Sequence, residues 1–411
     1  MKKIVIIGGG PAGLKAAISA ASRYKGKAQI CLIEKNERCG RKLMITGKGR
    51  CNVTNNCDLE TLIANVPKNG RFLYSAFSSF LPQDTMAYFE SVGVPLKTER
   101  GNRVFPLSDK AVDIVDALVR GLKPLGIKQL HATAKSIKTE GEKVIGVELE
   151  DGRIVDADSV VLATGGMSYP VTGSTGDGYR MAEELGHTVT ELRPSLVPLN
   201  CHEGFCSRLA GLSLKNVTLS VFEGEKKKPI FKEMGEMLFT HFGISGPLVL
   251  SASAYLRKMG KAEYKAVIDL KPALTVEQLD KRILRDFENE KNKDFANSLD
   301  ALLPKSIIPV IIEKSGINPR EKVNQVSREQ RMDLCRAIKE FTLNITGFRP
   351  IEEAIITRGG ISVKEINPST MESKLISGLF FAGEIIDVDA FTGGFNLQIA
   401  FSTAFLAGEN V

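Results

Sequence analysis

A glycine-rich loop opens the sequence and has the spacing of a phosphate-binding turn. Gly8, Gly10 and Gly13 follow the apolar run Ile4–Ile7 and precede an alanine-rich segment. Between a strand and a helix, the first glycine permits a tight turn, the second lets the backbone approach a pyrophosphate, and the third lets the helix pack closely. The N-terminus of such a helix also offers free N–H groups to phosphates. The loop therefore predicts dinucleotide binding.

A carboxylate follows this loop at the distance that ribose binding requires. Ile30–Ile33 reads as a second buried strand, and Glu34 stands at its end, 21 residues after Gly13. An acidic residue in this place binds ribose hydroxyls in dinucleotide-binding βαβ units. Since NAD and FAD share the fingerprint, these residues alone do not choose between them.

A second glycine-rich segment lies near the other end of the chain. GEIIDVDAFTGGFNLQIAFSTAFLAG (383–408) follows a predicted strand at 379–382 and leads into a predicted helix at 396–407. Reduced flavin carries negative charge at N1, and a helix N-terminus stabilises such charge. A dehydrogenase that binds NAD alone has no need of this segment, so the combination favours FAD.

The loop between 36 and 57 is long, basic and rich in glycine, and long loops of this kind are usually functional. We expect Arg41 and Lys42 at the FAD phosphates and the segment Gly47–Asn52 against the flavin. Arg38, Lys48 and Arg50 belong to the same loop, for which a solvated basic surface is the alternative.

Catalysis requires little beyond the cofactor, because FAD itself exchanges a hydride and the protein has to supply only a proton donor. The candidates are His241 in FTHFGISGP, Tyr169 after the TGG turn and Arg358 in TRGG, and the sequence does not decide among them. Cys51 has no thiol or base nearby in the sequence, so we do not expect a nucleophile there.

Composition excludes several classes of protein. The chain has 43% apolar and 25% charged residues, as soluble globular proteins do, and its net charge is +7. Lysine and arginine are scattered and tryptophan is absent, so we expect a small-molecule substrate rather than nucleic acid. The glycines and Lys15 interrupt the first apolar run, which argues against a signal peptide, and no segment has the length of a membrane span. We expect a cytoplasmic protein.

Cysteine usage points to reduced thiols. The seven cysteines include no CxxC pair, and there are only four histidines, so no metal site is expected. Cys201 and Cys206 are read as two unrelated thiols, with a redox pair as the alternative.

The pattern of elements predicts an α/β fold in which both chain ends build one Rossmann-like FAD-binding domain, residues 1–190 and 351–411. The middle is expected to be an insertion that decides substrate choice. It comprises a β part, 191–274 and 337–350, and a helical part, 275–336. Capping boxes at Thr275 and Ser327 begin helices there, and Pro304, Pro309 and Gly316 are expected to break the region into short helices.

The closing segment resembles the end of the FAD domain in the fumarate reductase and aspartate oxidase group. This resemblance implies that Glu384 binds the ribityl chain, that Asn396 and Leu397 approach the N1/O2 edge of the flavin, and that Asp177 in TGDG contributes to the FAD site.

A narrower resemblance runs through nearly the whole chain. GRKLMITGKGRCNVTN, GEMLFTHFGISGP, TRGGISVKEI and GGFNLQIAFSTAFLAG together resemble the BaiN-like NAD(P)/FAD-dependent oxidoreductases, which belong to the two-dinucleotide-binding-domain flavoproteins. The resemblance implies a β-barrel with a helical insert. One branch of the family is implicated in reducing conjugated C=C bonds of 3-oxo bile acids.

The main hypothesis is thus an FAD-dependent oxidoreductase, reduced by NADH or NADPH, that passes a hydride to a small organic acceptor such as a conjugated C=C bond. The alternatives are an amine or hydroxy-acid oxidase, a tRNA-modifying flavoprotein and a redox sensor. The expected cofactor-binding residues are Gly8, Gly10, Ala12, Gly13, Glu34, Lys35, Arg41, Lys42, Gly47, Gly49, Asn52, Ala134, Thr164, Gly165, Gly166, Asp177, Gly383, Glu384, Gly394, Phe395, Asn396 and Leu397.

Overall fold

The structure is a computed structural model that describes residues 1–411, apart from the side chain of Lys48, which lies outside the described part. By its internal contacts the chain divides into two compact units, residues 1–195 with 350–411 and residues 196–349. Among the described residues, no helix combines the length and the apolar character needed to cross a membrane.

The strands are β1 (Lys2–Ile7), β2 (Ala28–Glu34), β3 (Thr54–Asn55), β4 (Leu96–Glu99), β5 (Arg103–Pro106), β6 (Lys128–His131), β7 (Ala134–Glu140), β8 (Lys143–Leu149), β9 (Ile154–Asp156), β10 (Ser159–Leu162), β11 (Arg193–Ser195), β12 (Leu199–Cys201), β13 (Ser213–Glu223), β14 (Phe231–Thr240), β15 (Gly243–Ser245), β16 (Tyr264–Asp269), β17 (Phe341–Phe348), β18 (Ile356–Arg358) and β19 (Leu379–Phe381).

The helices are α1 (Pro11–Tyr24), α2 (Arg41–Ile45), α3 (Leu59–Ala64), α4 (Tyr74–Ser79), α5 (Pro82–Ser91), α6 (Ala111–Arg120), α7 (Asp177–Glu184), α8 (Phe205–Arg208), α9 (Pro247–Ser253), α10 (Val276–Asn289), α11 (Ile308–Ser315), α12 (Arg328–Lys339) and α13 (Phe395–Asn410).

The first unit is built on a five-stranded parallel sheet in the order β19-β10-β1-β2-β6. Its central strand β1 is an apolar run buried on both faces, as parallel strands under helices are. Because the strands are parallel, the loops after β1, β2, β10 and β19 all emerge at the same edge, where ligands bind in open α/β sheets. Small antiparallel sheets, β3-β5-β4, β7-β8-β9 and β11-β18, flank it.

The two ends of the chain meet through their helices in this unit. A Cβ added to Gly408 of α13 would lie 2.7 Å from the carbonyl oxygen of Ala16 in α1, so glycine and alanine are what allow these helices to pack so closely. The hydroxyl of Tyr24 donates a hydrogen bond to the carbonyl oxygen of Val411. The packing thus brings the first and the last glycine-rich segments to one sheet.

The second unit is a closed barrel in the order β12-β15-β14-β13-β16-β17, with helices packed on its core. Both predicted capping boxes begin helices here, at Thr275 and Ser327. Pro309 lies in the first turn of α11, where the missing N–H of a proline is not needed, and thus stands at the start of a short helix. Gly316 does end α11, in the left-handed conformation.

The segment 36–57 departs from the expectation of an unstructured loop. It contains the short helix α2, a turn of 3₁₀ helix at Thr46–Gly49 and strand β3. Gly40 is the N-cap of α2 and has the left-handed conformation. A Cβ at this position would lie 2.8 Å from the side chain of Val115. Tertiary packing therefore orders a segment whose composition predicts a loop.

Candidate functional site

The glycine loop contains two glycines that close packing requires, Gly8 and Gly13, and one that faces open space, Gly10. A Cβ at Gly8, whose φ is +106°, would lie 2.5 Å from the carbonyl oxygen of Ala163, and one at Gly13 would lie 1.8 Å from that of Gly8. A Cβ at Gly10 would meet no atom within 4 Å. Gly8 and Gly13 therefore allow the backbone to pack, whereas Gly10 leaves room that a ligand can fill at the N-terminus of α1.

Glu34 reaches the glycine loop from the end of β2. Its Oε2 accepts a hydrogen bond from the backbone N–H of Gly9 at 2.7 Å, and its Oε1 accepts from the backbone and side-chain amide of Asn36 at 2.8 and 2.7 Å. The exposed guanidinium of Arg41 donates to the side-chain oxygen of Asn36 at 2.8 Å. Glu34 is thus positioned beside the loop as its spacing predicts.

Lys35 and Asp177 form an ion pair at the N-terminus of α7, with 2.5 Å between Nζ and Oδ2. Burial raises the pKa of Asp177, but the hydrogen bond and charge of Lys35 outweigh it, so the pKa lies below its ordinary value. Thr175 donates to the same carboxylate oxygen at 3.0 Å. Two predicted residues from distant parts of the chain therefore lie together.

The turn after β10 is the third part of this edge. Gly165 has a φ of +74°, and a Cβ at Gly166 would lie 2.4 Å from the hydroxyl of Thr357. The Thr357 hydroxyl accepts the backbone N–H of Met167 at 2.8 Å. This close approach ties the TGG turn to the TRGG motif, which follows almost 200 residues later.

Glu384 lies at the centre of a half-buried polar network. The ammonium of Lys42 donates to its two oxygens at 3.0 and 2.8 Å, the backbone N–H of Thr357 at 2.8 Å and the hydroxyl of Ser168 at 3.2 Å. Lys42 also donates to Ser168 at 2.7 Å. The residue expected at the phosphates and the residue expected at the ribityl chain thus bind each other, and Ser168 and Thr357 join them although the sequence analysis did not select them.

The closing segment packs against the glycine loop after β1 and against the segment around Thr54. A Cβ at Gly383 would lie 2.8 Å from that of Ala12, and one at Gly394 would lie 2.4 Å from the carbonyl oxygen of Thr54. Asn396, in the first turn of α13, both accepts from and donates to the backbone of Ala390, at 2.9 Å each. The start of α13 is therefore fixed by contacts to the 50s segment and to its own preceding loop.

The remaining predicted residues lie on or near these elements. Phe395 begins α13 and is buried. Leu397 is half-buried two residues later in the same helix, and Ala134 is buried at the start of β7. Gly47 and Gly49 have φ values of +57° and +82° in the 3₁₀ turn.

Two carboxylates inside the closing segment escaped the sequence analysis. Asp387 accepts both hydrogen bonds of the Lys68 ammonium, at 2.9 and 2.6 Å, and Asp389 accepts from the hydroxyl of Ser195 at 3.2 Å. Both residues are almost fully buried. The DxD spacing inside GEIIDVDA was the available signal, since buried carboxylates are rare without a partner.

The three candidates for catalysis have different surroundings. Arg358 is buried in the first unit, with its Nε 3.5 Å from Oδ2 of Asp389. Tyr169 is half-buried in the same unit, has a φ of +52°, and burial raises the pKa of its phenol. His241 belongs to the second unit, where it is exposed in the turn between β14 and β15. The first unit therefore brings Arg358 and Tyr169 to the segments that carry the predicted cofactor residues.

Cys51 lies in the same unit as the predicted cofactor residues. It is fully buried, and burial raises the pKa of its thiol to about 12. A thiol of this kind is a poor nucleophile at neutral pH.

The residues present fit an FAD molecule. Two of the expected ligands, Asn52 and Thr164, have a buried side-chain oxygen without a hydrogen-bond partner among the described residues. Buried polar atoms in proteins are nearly always paired, so these two oxygens mark places where a polar ligand is accommodated. The open space at Gly10 and the helix N-termini of α1 and α13 provide for the anionic parts of such a ligand.

Comparison with known proteins agrees with this architecture. A family described as HI0933-like protein Rossmann domain matches residues 2–410. The chain is 32% identical to the 3-dehydro-bile acid delta(4,6)-reductase of Clostridium scindens over 100% of this chain and 98% of that protein. It is also 33% identical to a ribosomal RNA dihydrouridine synthase of Haemophilus influenzae, over 99% and 98% of the two chains.

Among solved structures, the 3-ketosteroid delta1-dehydrogenase of Sterolibacterium denitrificans aligns over 99% of both chains, with a TM-score of 0.53 and 12% identity. That likeness is one of fold. The chain belongs to the HI0933-like family, and the predictions of a BaiN-like protein, a Rossmann-type α/β fold with a barrel, and an FAD-dependent oxidoreductase are confirmed.

Proposed function

We propose that this protein is an FAD-dependent reductase that takes a hydride from NADH or NADPH and delivers it to a carbon–carbon double bond conjugated with a carbonyl group. The observation that carries the proposal is the full-length similarity to a relative named for reducing delta(4,6) double bonds of a 3-dehydro-bile acid. Relatives named as dihydrouridine synthases are compatible with it, because forming dihydrouridine also saturates a ring double bond next to a carbonyl.

FAD bound in this unit would supply the hydride chemistry. The chain's own residues would hold it: Gly10 and the N-terminus of α1 would bind the pyrophosphate, Glu34 the ribose, Glu384 the ribityl chain, and the N-terminus of α13 the flavin edge. The FAD-binding domain comprises residues 1–190 and 351–411.

Saturating the double bond also requires a proton at the carbon next to the carbonyl. We assign this proton to Tyr169, because its phenol is protonated at neutral pH and the residue lies half-buried just after the TGG turn of the first unit. The guanidinium of Arg358 would orient the carbonyl oxygen of the acceptor. The purified Tyr169→Phe variant should therefore keep flavin reduction by the nicotinamide but lose acceptor reduction by about 100-fold, the lower range for a general acid.

The decisive experiment is anaerobic titration of the purified yellow protein with NADH and with NADPH, followed by acceptors. We expect bleaching by at least one nucleotide and reoxidation by a 3-oxo-4,6-diene steroid or by another enone. Bleaching without reoxidation by any enone, but with rapid reoxidation by oxygen, would instead identify an oxidase.

Two glycine variants separate cofactor binding from folding. Gly10→Ala places a methyl group in the open space and should weaken FAD binding with the unfolding midpoint unchanged. Gly13→Ala meets a backbone oxygen at 1.8 Å and should destabilise the protein itself. If Gly10→Ala binds FAD as the wild type does, the pyrophosphate lies elsewhere.

A second candidate function is reduction of a uridine in RNA, which the charge distribution favours. The second unit, residues 196–349, has 25 Lys and Arg against 19 Asp and Glu, a net charge of +6, whereas the whole chain has 55 against 48, a net charge of +7. Two relatives of similar length are named as ribosomal RNA dihydrouridine synthases. A gel shift with ribosomal RNA that weakens steeply with salt, and dihydrouridine in the product, would support it; no shift at low salt would exclude it.

A further inference from the structure

A buried glutamine of the closing segment joins helix α13 to strand β3. Oε1 of Gln398 accepts hydrogen bonds from the hydroxyls of Thr54 at 2.6 Å and Thr85 at 2.8 Å. Its Nε2 donates to the carbonyl oxygen of Phe80 and to the hydroxyl of Ser402, at 2.9 Å each. Both Gln398 and Thr54 are fully buried. We propose that Gln398 is a positioning residue that holds the N-terminus of α13 in place for the flavin.

The chemistry of the partners fixes the orientation of this amide. A backbone carbonyl oxygen only accepts hydrogen bonds, so the atom that faces Phe80 is Nε2. Oε1 then faces Thr54 and Thr85, whose hydroxyls can donate. Since the amide satisfies its donors and acceptors in this one orientation, the network specifies a single packing of α13 on β3.

The same tie continues one turn earlier through the backbone. Gly394 is the N-cap of α13, and its carbonyl oxygen accepts the N–H of Gln398 at 3.1 Å. A Cβ at Gly394 would lie 2.4 Å from the carbonyl oxygen of Thr54, so the two backbones are in direct contact. The side chain of Asn55 donates to the carbonyl oxygen of Gly393 at 3.0 Å. The start of α13 is thus tied to both residues of β3.

This tie joins two segments that are expected at the flavin, residues 47–52, which lead into β3, and residues 394–397. The N–H groups of a first helical turn have no partner within the helix and carry partial positive charge, which stabilises the negative charge of reduced flavin. The effect falls off over one turn, so it depends on where that turn is held. The inference rests on the proposed placement of the flavin edge at α13, and Gln398 acts on the flavin only through this turn.

The midpoint potential of the flavin in the FAD-loaded protein tests the proposal. It is measured by equilibration with a reference dye during slow reduction by xanthine and xanthine oxidase, which requires neither a nicotinamide nor an enone. We expect Gln398→Met and Thr54→Val to weaken the binding of reduced FAD relative to oxidised FAD about tenfold, which lowers the potential by about 30 mV for two electrons. Thr54→Ser, which keeps the hydroxyl, should retain the wild-type potential.

Phe401→Leu is the matched control in the same helix. Phe401 is buried three residues after Gln398 and packs edge to face on Phe89, with 5.6 Å between the ring centres. Its side chain takes no part in the hydrogen-bonded network, so this variant should lower the unfolding midpoint of the apoprotein and leave the flavin potential unchanged. A potential shift in Phe401→Leu as large as that in Thr54→Val would make Gln398 an ordinary core residue and overturn the proposal.

Gly394→Ala distinguishes a failure of this proposal from a failure of the flavin site. Its methyl group meets the Thr54 carbonyl and displaces the same helix end directly. A changed potential or lost FAD binding in Gly394→Ala, with wild-type potentials in Gln398→Met and Thr54→Val, would reject Gln398 as a positioning residue and keep the flavin at α13. Wild-type potentials in all three variants would reject both assignments.

The outcome does not depend on the folding of Gln398→Met. Thr54→Val preserves the shape of the side chain and leaves Oε1 of Gln398 paired with Thr85. If Gln398→Met does not fold, a wild-type potential in Thr54→Val is therefore sufficient to overturn the proposal.

Discussion

The two units differ in where they keep their charges. Among its described side chains, the first unit buries four that are charged, Lys15, Arg358, Asp387 and Asp389. Among the residues whose side chains are described, the second unit buries none, and only serines are fully buried polar residues there. Yet the second unit carries most of the net positive charge, on its surface.

This difference indicates different tasks. Burying a charge costs free energy unless the charge is paired, so a fold retains buried charges chiefly where a site needs them. Three of the four lie in or against the segments that bear the predicted cofactor residues. A surface charge costs little and acts on partners at a distance, which suits the recognition of an anionic molecule.

The largest expected effect comes from Asp389. Asp389→Asn removes the negative charge 3.5 Å from the Nε of Arg358 in a site almost without solvent. Breaking a buried ion pair by removing one partner costs about 3–5 kcal/mol. Urea unfolding should show a loss of this size for Asp389→Asn and none for Asp300→Asn, an exposed aspartate of the second unit. An equal loss of stability in both variants would mean that the buried charge of the first unit contributes no more to stability than an exposed charge of the second unit.

Lys15 should make the stability of the protein depend on pH. Its ammonium lies 4.2 Å from the ring centre of Phe80 and 4.4 Å from that of Tyr88, and burial lowers its pKa from 10.5 to about 8, against the opposing charges of Glu409 and Asp84. Between these values the unfolded chain binds more protons than the folded one, so Lys15 makes the folded state more stable as the pH rises from 8 to 10.5.

The measurement compares the free energy of unfolding of the wild type with that of Lys15→Met across this pH range. The difference should move in favour of the wild type by about 3 kcal/mol, since one pKa unit corresponds to about 1.4 kcal/mol. Lys27→Met, at an exposed position, serves as the control and should show no such slope. A flat difference for Lys15→Met would show that its surroundings solvate the charge fully.

Glu34 should affect the cofactor more than the fold. Glu34→Gln keeps the shape of the side chain but weakens its charge-assisted hydrogen bonds, so we expect FAD affinity to fall about tenfold, or about 1.4 kcal/mol. Glu37→Gln, at an exposed position three residues later, should leave it unchanged. Flavin fluorescence during titration of the apoprotein measures both; equal affinities would remove Glu34 from the ribose site.

The smallest effect is expected at a surface cap of the second unit. The Thr275 hydroxyl accepts the backbone N–H of Gln278 at 3.2 Å. The side-chain oxygen of Gln278 accepts the backbone N–H of Thr275 at 2.9 Å. Thr275→Ala should cost about 1 kcal/mol, as N-cap substitutions do. A loss of stability as large as that of Asp389→Asn would contradict the expectation that an exposed cap of this unit contributes only about 1 kcal/mol.

The sequence by itself determined the local elements and the ligand class. The glycine loop, Glu34 and the capping boxes depend on residues within about 30 positions of one another, and short-range spacing is what a sequence displays. The pairing of both chain ends was also readable, because each end carries an element of the same α/β pattern.

Only the tertiary structure decided which side chains meet. Lys42 and Glu384 bind each other although they are 342 positions apart in the sequence. Arg358 forms an ion pair with Asp389 of the closing segment. Burial decides whether a charge or a thiol is a solvated surface group or part of a site, and burial arises only when distant segments pack.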